Sequence, residues 1–282
     1  MAGRLHPVQL SWRRRRVPVA ERTRRQKVMA YVGGVWDVSA WAFVALLSVV
    51  AVSRRVGGTA PTLLQPLQAV VPLLFLPIKA GPEVRVLQWL ASYGKLVGDF
   101  DRQSLRKWKQ GHPGQRSFAV LRHPVARAYA AYADVLAQEA MPELRPYLKR
   151  VHKFELPPKG KGFATLEEHR AGFAVVLTFV KYLLDGRTEL KTPAQFASLG
   201  AILAGFAQVQ SPDVLIREDR LETGLRHLAE EVGVAFQPLL PDAAVYAWPL
   251  AAVYGPDIEA AAKEAYWRDY NGFGFETWVD RG

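Results

Sequence analysis

Two cations stand where an apolar run gives way to a helical pattern, and both places suit anion chemistry. The first lies in Ser117 to Tyr132, SFAVLRHPVARAYAAY. Ser117 to Leu121 reads as a buried strand, and Val125 to Tyr132 resumes apolar residues at helical spacing. Pro124 suits the first helical turn, where its missing N–H is no loss. Arg122 then falls between the carboxyl end of a strand and the amino end of a helix. A guanidinium fixed there, with free backbone N–H groups beside it, can hold a phosphate. An arginine at this place can equally cap the turn or pair with a nearby acid. The second place follows Val71 to Pro77, VPLLFLP, another strand pattern. Ile78 to Pro82, IKAGP, makes a turn, and Glu83 to Tyr93 carries Val84, Leu87 and Leu90 at helical spacing. Lys79 can reach a phosphate as a point charge, and Gly81 lets backbone approach. The loop is not GxxxxGK[ST], and taken alone IKAGP reads equally as a plain turn.

Other chemistries find little support. The 282 residues include no cysteine, which removes disulfides and thiolate metal ligands and fits a reducing compartment. The histidines, His6, His112, His123, His152, His169 and His227, do not pair at metal-ligand spacing, so no zinc site is expected. For a general base the candidates are His123, His169, Glu167, Glu168 and Glu218. None is singled out by spacing, because geometry decides such a role.

The elements that must position these groups form an uneven chain. Net charge is +11, and residues 1–30 alone hold nine Lys/Arg against one acid, Glu21. The basic character therefore belongs mainly to a tail, with Arg13 to Arg16 as its densest block. Such a tail suits an anionic lipid surface, a weak nucleic-acid patch or plain solvation. Val35 to Val52 is the most hydrophobic stretch, but its uncharged part, Val38 to Ser53, is 16 residues. About 20 apolar residues are needed to cross a bilayer, so a buried or membrane-associated helix is the expectation. After Gly57 to Pro66, a loop by its residues, the strand and helix patterns begin. Lys95 to Arg116 reads as a basic connection, solvated or lining a site for an acidic ligand. Met141 to Gly162 ends in a loop, PPKGKG. Ala171 to Leu184 and Ala194 to Val209 are apolar and helical, Asp213 to Ile216 is a short strand, and Leu221 to Val232 is a helix. Gln237 to Pro249 is a Pro-rich loop, and Pro256 to Tyr270 is a closing helix. Strand–helix units first and helices later predict an α/β sheet covered by helices.

Four segments in order resemble a known family. FAVLRHPVARAYAAY looks like the 3′-phosphate-binding segment of sulfotransferases that use 3′-phosphoadenosine-5′-phosphosulfate (PAPS). PLLFLPIKAGPEVRVLQWL lies where their 5′-phosphosulfate loop belongs, and PDVLIREDRLETGLRHLAEEVGV resembles a later strand–acid–helix unit. DIEAAAKEAYWRDYNGFGF resembles the closing segment, in which Tyr-x-x-Asp-Tyr runs into Phe-Gly-Phe. The resemblance covers Val71 to Trp278 and is nearest to bacterial sulfotransferase-like proteins, including those labelled nodulation-type. It implies a P-loop-like α/β fold with a central parallel sheet flanked by helices over residues 67–282. Residues 1–66, the basic tail and apolar helix, lie outside it as an extension.

The roles the resemblance implies are specific. Lys79 matches the lysine that contacts the transferring sulfuryl group, and Gly81 matches the loop glycine. Arg122 matches the arginine on the 3′-phosphate. PAPS would be the co-substrate, a hydroxyl of a glycan, lipid or small molecule the acceptor, and no metal would be needed. Three positions depart from the pattern. Pro82 and Glu83 stand where hydroxyl residues usually bind the 5′-phosphate, and Ala130 stands where a serine usually joins Arg122. One residue also separates Pro77 from Lys79. The expected protein is thus cytoplasmic, with the N-terminal segment as the part that could touch a membrane surface, and nucleic acid is the less favoured partner. The alternative is a non-catalytic protein of the same fold, binding nucleotide weakly or acting as a membrane-associated partner.

Overall fold

The computed structural model describes residues 67–279, apart from 71, 99, 139–140 and 242–245. The basic tail and the apolar stretch 35–52 lie outside the described residues, as does the whole expected extension. The chain is α/β, as the patterns predict. A four-stranded sheet runs in the order β1 (Gln68–Val70), β2 (Leu73–Phe75), β3 (Arg116–Leu121) and β4 (Val214–Arg217).

The sheet is mixed, not wholly parallel as expected. β1 pairs antiparallel with β2, with Ala69 opposite Leu74, while β2, β3 and β4 run parallel. The strand expected over Val71 to Pro77 shortens to Leu73–Phe75. Pro72 has no N–H to give a ladder and serves only as an acceptor, taking a 3.1 Å bond from Arg116 N. Only two residues join β1 to β2, too few for a crossover, so β1 pairs antiparallel as the outer arm of a hairpin.

Alternation along β2 and β3 decides the layers. Leu74, Ala119 and Leu121 pack on one face; Leu73, Phe75, Phe118 and Val120 pack on the other. Both faces are covered, which is why these strands read as unbroken apolar runs. On the second face lie α1 (Glu83–Ala91), through Val86, Trp89 and Leu90, and further along the chain a helix over 221–231. Between α1 and β3 the stretch Lys95 to Arg116, expected as a basic connection, contains α2 (Arg102–Gly111). Asp101 starts it, its Oδ1 accepting from Ser104 N at 2.6 Å.

The first face is deeper and almost wholly helical. It holds α3 (Pro124–Gln138), the short α4 (Leu144–Tyr147) with a π turn after it, and α5 (Leu166–Leu184). Thr165 and Glu168 close a reciprocal cap at the start of α5. α6 (Leu199–Phe206) follows, shorter than the apolar segment that announced it. β4 then leads through a 3₁₀ turn, Glu218–Arg220, into α7 (Leu221–Glu231). α8 (Leu250–Val253), α9 (Pro256–Ala265) and α10 (Trp267–Phe273) complete the chain. The closing helix expected as one piece is broken at Tyr266, whose φ of −115° and ψ of 29° leave the helical region. Among the described residues no helix is long and apolar enough to cross a membrane.

α7 packs on β4 at a glycine. A Cβ on Gly224 would stand 2.5 Å from Ile216 Cγ2, and Ile216 is itself buried. Gly224→Ala is therefore expected to lower stability by about 1–3 kcal/mol through overpacking. Urea unfolding checks this, and an unchanged midpoint would show that the helix can ride outward at no cost.

Candidate functional site

The carboxyl ends of the three parallel strands bring the predicted cations together. The turn after β2 carries Lys79 and Gly81, Arg122 follows β3 directly, and Glu218 follows β4. Crevices outside the carboxyl ends of parallel strands are the usual ligand places of open α/β sheets.

The turn is tight. Gly81 N donates to Ile78 O at 2.9 Å, and Ala80 between them has a φ of 60°. A Cβ on Gly81 would meet Ile78 O at 2.7 Å, so this position needs glycine. The same bond commits the Gly81 N–H to the turn. Pro82, buried and without an N–H, then stands as the N-cap of α1 with no side-chain cap bond. The amides that follow Pro82 belong to the first turn of α1.

Arg122 lies beside that turn. Its Nη1 reaches Ala80 O at 3.4 Å. Nε and Nη2 form a two-pronged ion pair with Glu218: Nε to Oε2 is 2.8 Å and Nη2 to Oε1 is 2.6 Å. The guanidinium that the resemblance assigns to a 3′-phosphate thus already holds a carboxylate. Of the two side chains, Arg122 is 9% exposed and Glu218 23%.

Arg127, at the end of the first turn of α3, was not marked by the sequence and proves central. It is buried and donates through Nε to Lys79 O at 3.1 Å, through Nη1 to Ala197 O at 2.6 Å, and through Nη2 to Ala194 O at 2.9 Å. The backbone of Lys79 is therefore pinned while its side chain stays exposed. An arginine in the apolar first half of α3, VARAYAAY, was the available signal. Around Lys79 sit two more carboxyl groups. Burial raises the pKa of Glu83, with Lys79 acting the other way and Asp134 adding to the rise. Burial also raises Asp134, and Lys79 again opposes it. Glu83 is one of the departures from the resemblance's pattern, and Asp134, on α3, is a residue that sequence reasoning missed. Ala130 is buried on α3 and offers no hydroxyl.

The candidate bases separate clearly. Glu218 is in the site but engaged by Arg122. His123 turns away: its Nε2 bonds to Glu276 O at 2.9 Å, its Nδ1 accepts from Val125 N at 3.3 Å, and its ring packs on Tyr270 and Phe275. Burial lowers its pKa. His169 is buried between α3 and α5, bonded to Tyr129 Oη at 2.9 Å. Glu168 serves the cap of α5, and Glu167 lies on that helix's first turn.

A second buried polar group supports Arg127 from behind. Asp269, from the Tyr-x-x-Asp-Tyr segment, accepts from Leu199 N at 2.8 Å and Gly200 N at 3.4 Å, so α10 caps α6. Tyr266 donates from its hydroxyl to Phe196 O at 3.3 Å. These two and Arg127 fix the 194–200 segment from three sides.

No family model matches this chain, and no curated protein or solved structure matches it either.

Burial pushes the Asp269 carboxyl up to about 6, against the attraction of Arg127 and its backbone donors. The folded protein then keeps a proton that the unfolded chain releases between about pH 4 and pH 6. Stability contributed by this group is full below pH 4 and is lost as pH rises through 6, a change of about 3 kcal/mol. Urea unfolding of wild type and Asp269→Asn at pH 4, 5, 6 and 7 tests this. The difference between the two proteins should shift in the variant's favour across that window, and a constant difference would refute it.

Proposed function

We propose that this chain is a sulfotransferase-like protein whose reaction is transfer of a sulfuryl group from PAPS to a hydroxyl of a glycan, lipid or small molecule. The observation that carries the reading is the meeting of two distant segments. The Lys79–Gly81 turn and Arg122 lie side by side at the ends of adjacent parallel strands, in contact through Arg122 Nη1 and Ala80 O. The resemblance requires that meeting, and local sequence alone does not produce it.

In this reading the sulfur–oxygen bond to the 5′-phosphate breaks as the bond to the acceptor oxygen forms, and the acceptor proton leaves to a base or to solvent. Lys79 stabilises charge on the transferring group and the leaving oxygen. Arg122 takes the 3′-phosphate by exchanging it for Glu218. Glu83 and Asp134, whose pKa values burial raises, lie within electrostatic reach of Lys79. When protonated they cease to oppose an anion, so nucleotide binding should tighten as pH falls.

A second reading rests on the Arg122–Glu218 pair together with Pro82 and Glu83. A site whose arginine is already neutralised, and whose loop spends its glycine N–H on its own turn, can be a retired fold that binds nucleotide weakly. Each missing charged hydrogen bond costs about 1.5–3 kcal/mol. Two together weaken binding by about a hundredfold or more.

Calorimetry with 3′-phosphoadenosine-5′-phosphate separates the readings. Micromolar binding lost in Arg122→Ala, and tightened about tenfold in Glu218→Gln, is the result expected of a working site. No binding at millimolar nucleotide in either wild type or Glu218→Gln would reject the transfer reaction. Binding that appears only in Glu218→Gln would favour the retired site, silenced by its own ion pair.

A further inference from the structure

We propose that the cleft between α2 and the segment following α6 is a binding site for an acidic oligosaccharide chain. This is independent of the nucleotide site, which lies at the other end of the sheet. The cleft, of about 460 Å³, is lined by Arg102, Leu105, Arg106 and Lys109 from α2, and by Gln208 and Val209 across from them. It sits by the amino ends of β3 and β4, because Asp213 N bonds to Ser117 O there. The six residues of β3 separate it from Arg122 by about 20 Å.

Charge gives the ligand's sign. Arg102, Arg106 and Lys109 are spaced four and three apart on α2, a row of about 10 Å along one side of the helix. The sequence from 102 to 116 contains no acid, and neither does that from 192 to 212. Among the described carboxylates, Asp101 at the start of α2 caps that helix through Ser104, and Asp213 beyond the opposite wall accepts through Oδ2 from Ser117 N at 2.8 Å and Ser117 Oγ at 2.7 Å. Arg102 and Arg106 are exposed, and among the described residues neither forms an ion pair.

The cleft is also held in shape. Lys109 Nζ donates to Gln210 Oε1 at 2.6 Å, and Gln210 Nε2 donates to Ser117 Oγ at 3.0 Å. The two walls are thereby tied to each other and to β3, so the ligand has the side chains of Arg102 and Arg106 to order but not the walls themselves.

The lining gives the class. Exposed amides of Gln110 and Gln208 donate and accept at once, as sugar hydroxyls require. Exposed Val209 offers an apolar contact for the less polar face of a sugar ring, with Leu105 buried beneath the cleft as part of its floor. No aromatic ring lines the cleft, so it lacks the stacking platform on which single-stranded bases are held. Its volume is that of a small-ligand site, which holds a few sugars and not a duplex.

Calorimetry of the full chain with a galacturonate hexamer, at about 50 and 200 mM salt, tests the site. Because the tail is also basic, three variants are compared: Arg102→Gln with Arg106→Gln, Gln208→Glu, and Gln at all of Arg13 to Arg16. Each cleft variant should bind at least about tenfold more weakly. The double variant should also lose about two units from the slope of log affinity against log salt. The tail variant should bind almost as wild type does. Thermal unfolding confirms that each variant is folded, and Gln208→Glu keeps the test alive should the double variant not be. Absence of binding at millimolar hexamer, loss confined to the tail variant, or equal cleft-dependent binding of oligothymidylate would each overturn the proposal.

Discussion

The buried guanidinium of Arg127 is the constraint on which the candidate site depends. Three backbone carbonyls, those of Lys79, Ala194 and Ala197, turn their lone pairs into a protein interior where water cannot reach them. Each would be costly unpaired, and a buried charge would be costlier still. Together they satisfy one another. The geometry follows: the turn after β2, the first two turns of α3 and the approach to α6 cannot move separately. Asp269 and Tyr266 extend the same arrangement by holding the residues around Ala197 from the closing helices. A tight turn with a left-handed alanine at position 80 persists because its surroundings determine it.

That rigidity contrasts with the charge pairing in front of it. Arg122 and Glu218 are bonded twice over, yet they are unequally placed, the carboxylate being the more exposed. An anion arriving at Arg122 has to win the guanidinium from Glu218. Its gain is the difference between two charge-assisted pairings, less whatever Glu218 loses on returning to water. The arginine, held by Ala80 O on one side and by burial, is the fixed partner; the carboxylate is the one able to leave. With Glu83 and Asp134 near Lys79, the site carries its own anions in the places a doubly charged ligand would claim. Such a site favours the ligand that neutralises both Lys79 and Arg122 at once, since displacing one carboxylate at a time returns little.

Much of the site was legible because it depends on local patterns. The strand–turn–helix units around Lys79 and Arg122 follow from apolar runs, Pro124 and Gly81, and the structure sets them on adjacent parallel strands. What sequence reasoning missed is long-range. Arg127 looks like one polar residue on an apolar helix until the carbonyls it serves, 48 and 67–70 residues away, are in place. Glu218 stood as one acid among several, and only the pairing of β4 with β3 brings it to Arg122, 96 residues away. The mixed sheet was missed for a different reason. β1 is three residues long, too short for alternation to show, and Pro72 divides it from β2. α2 was taken for a connection because its apolar content is slight; the Asp101–Ser104 cap was its signature.

The two charged regions of this domain stand at opposite ends of the same strands and differ in how their charge is treated. At the carboxyl ends every cation of the site is answered by acids from neighbouring elements, and burial raises two of those acids towards neutrality. At the amino ends Arg102 and Arg106 stand in water on a helix whose own sequence contains no acid, and the carboxylate that precedes it, Asp101, is engaged in the helix cap. The first arrangement suits a ligand that must be selected, since entry requires an exchange. The second suits capture, because an uncompensated row of cations attracts any anion and adds to its encounter rate before contact is made. A chain presenting both has the parts needed to hold a polymeric anion at one end of the sheet while a compact one is exchanged at the other. The ~20 Å length of β3 would then set the shortest polymer able to reach both.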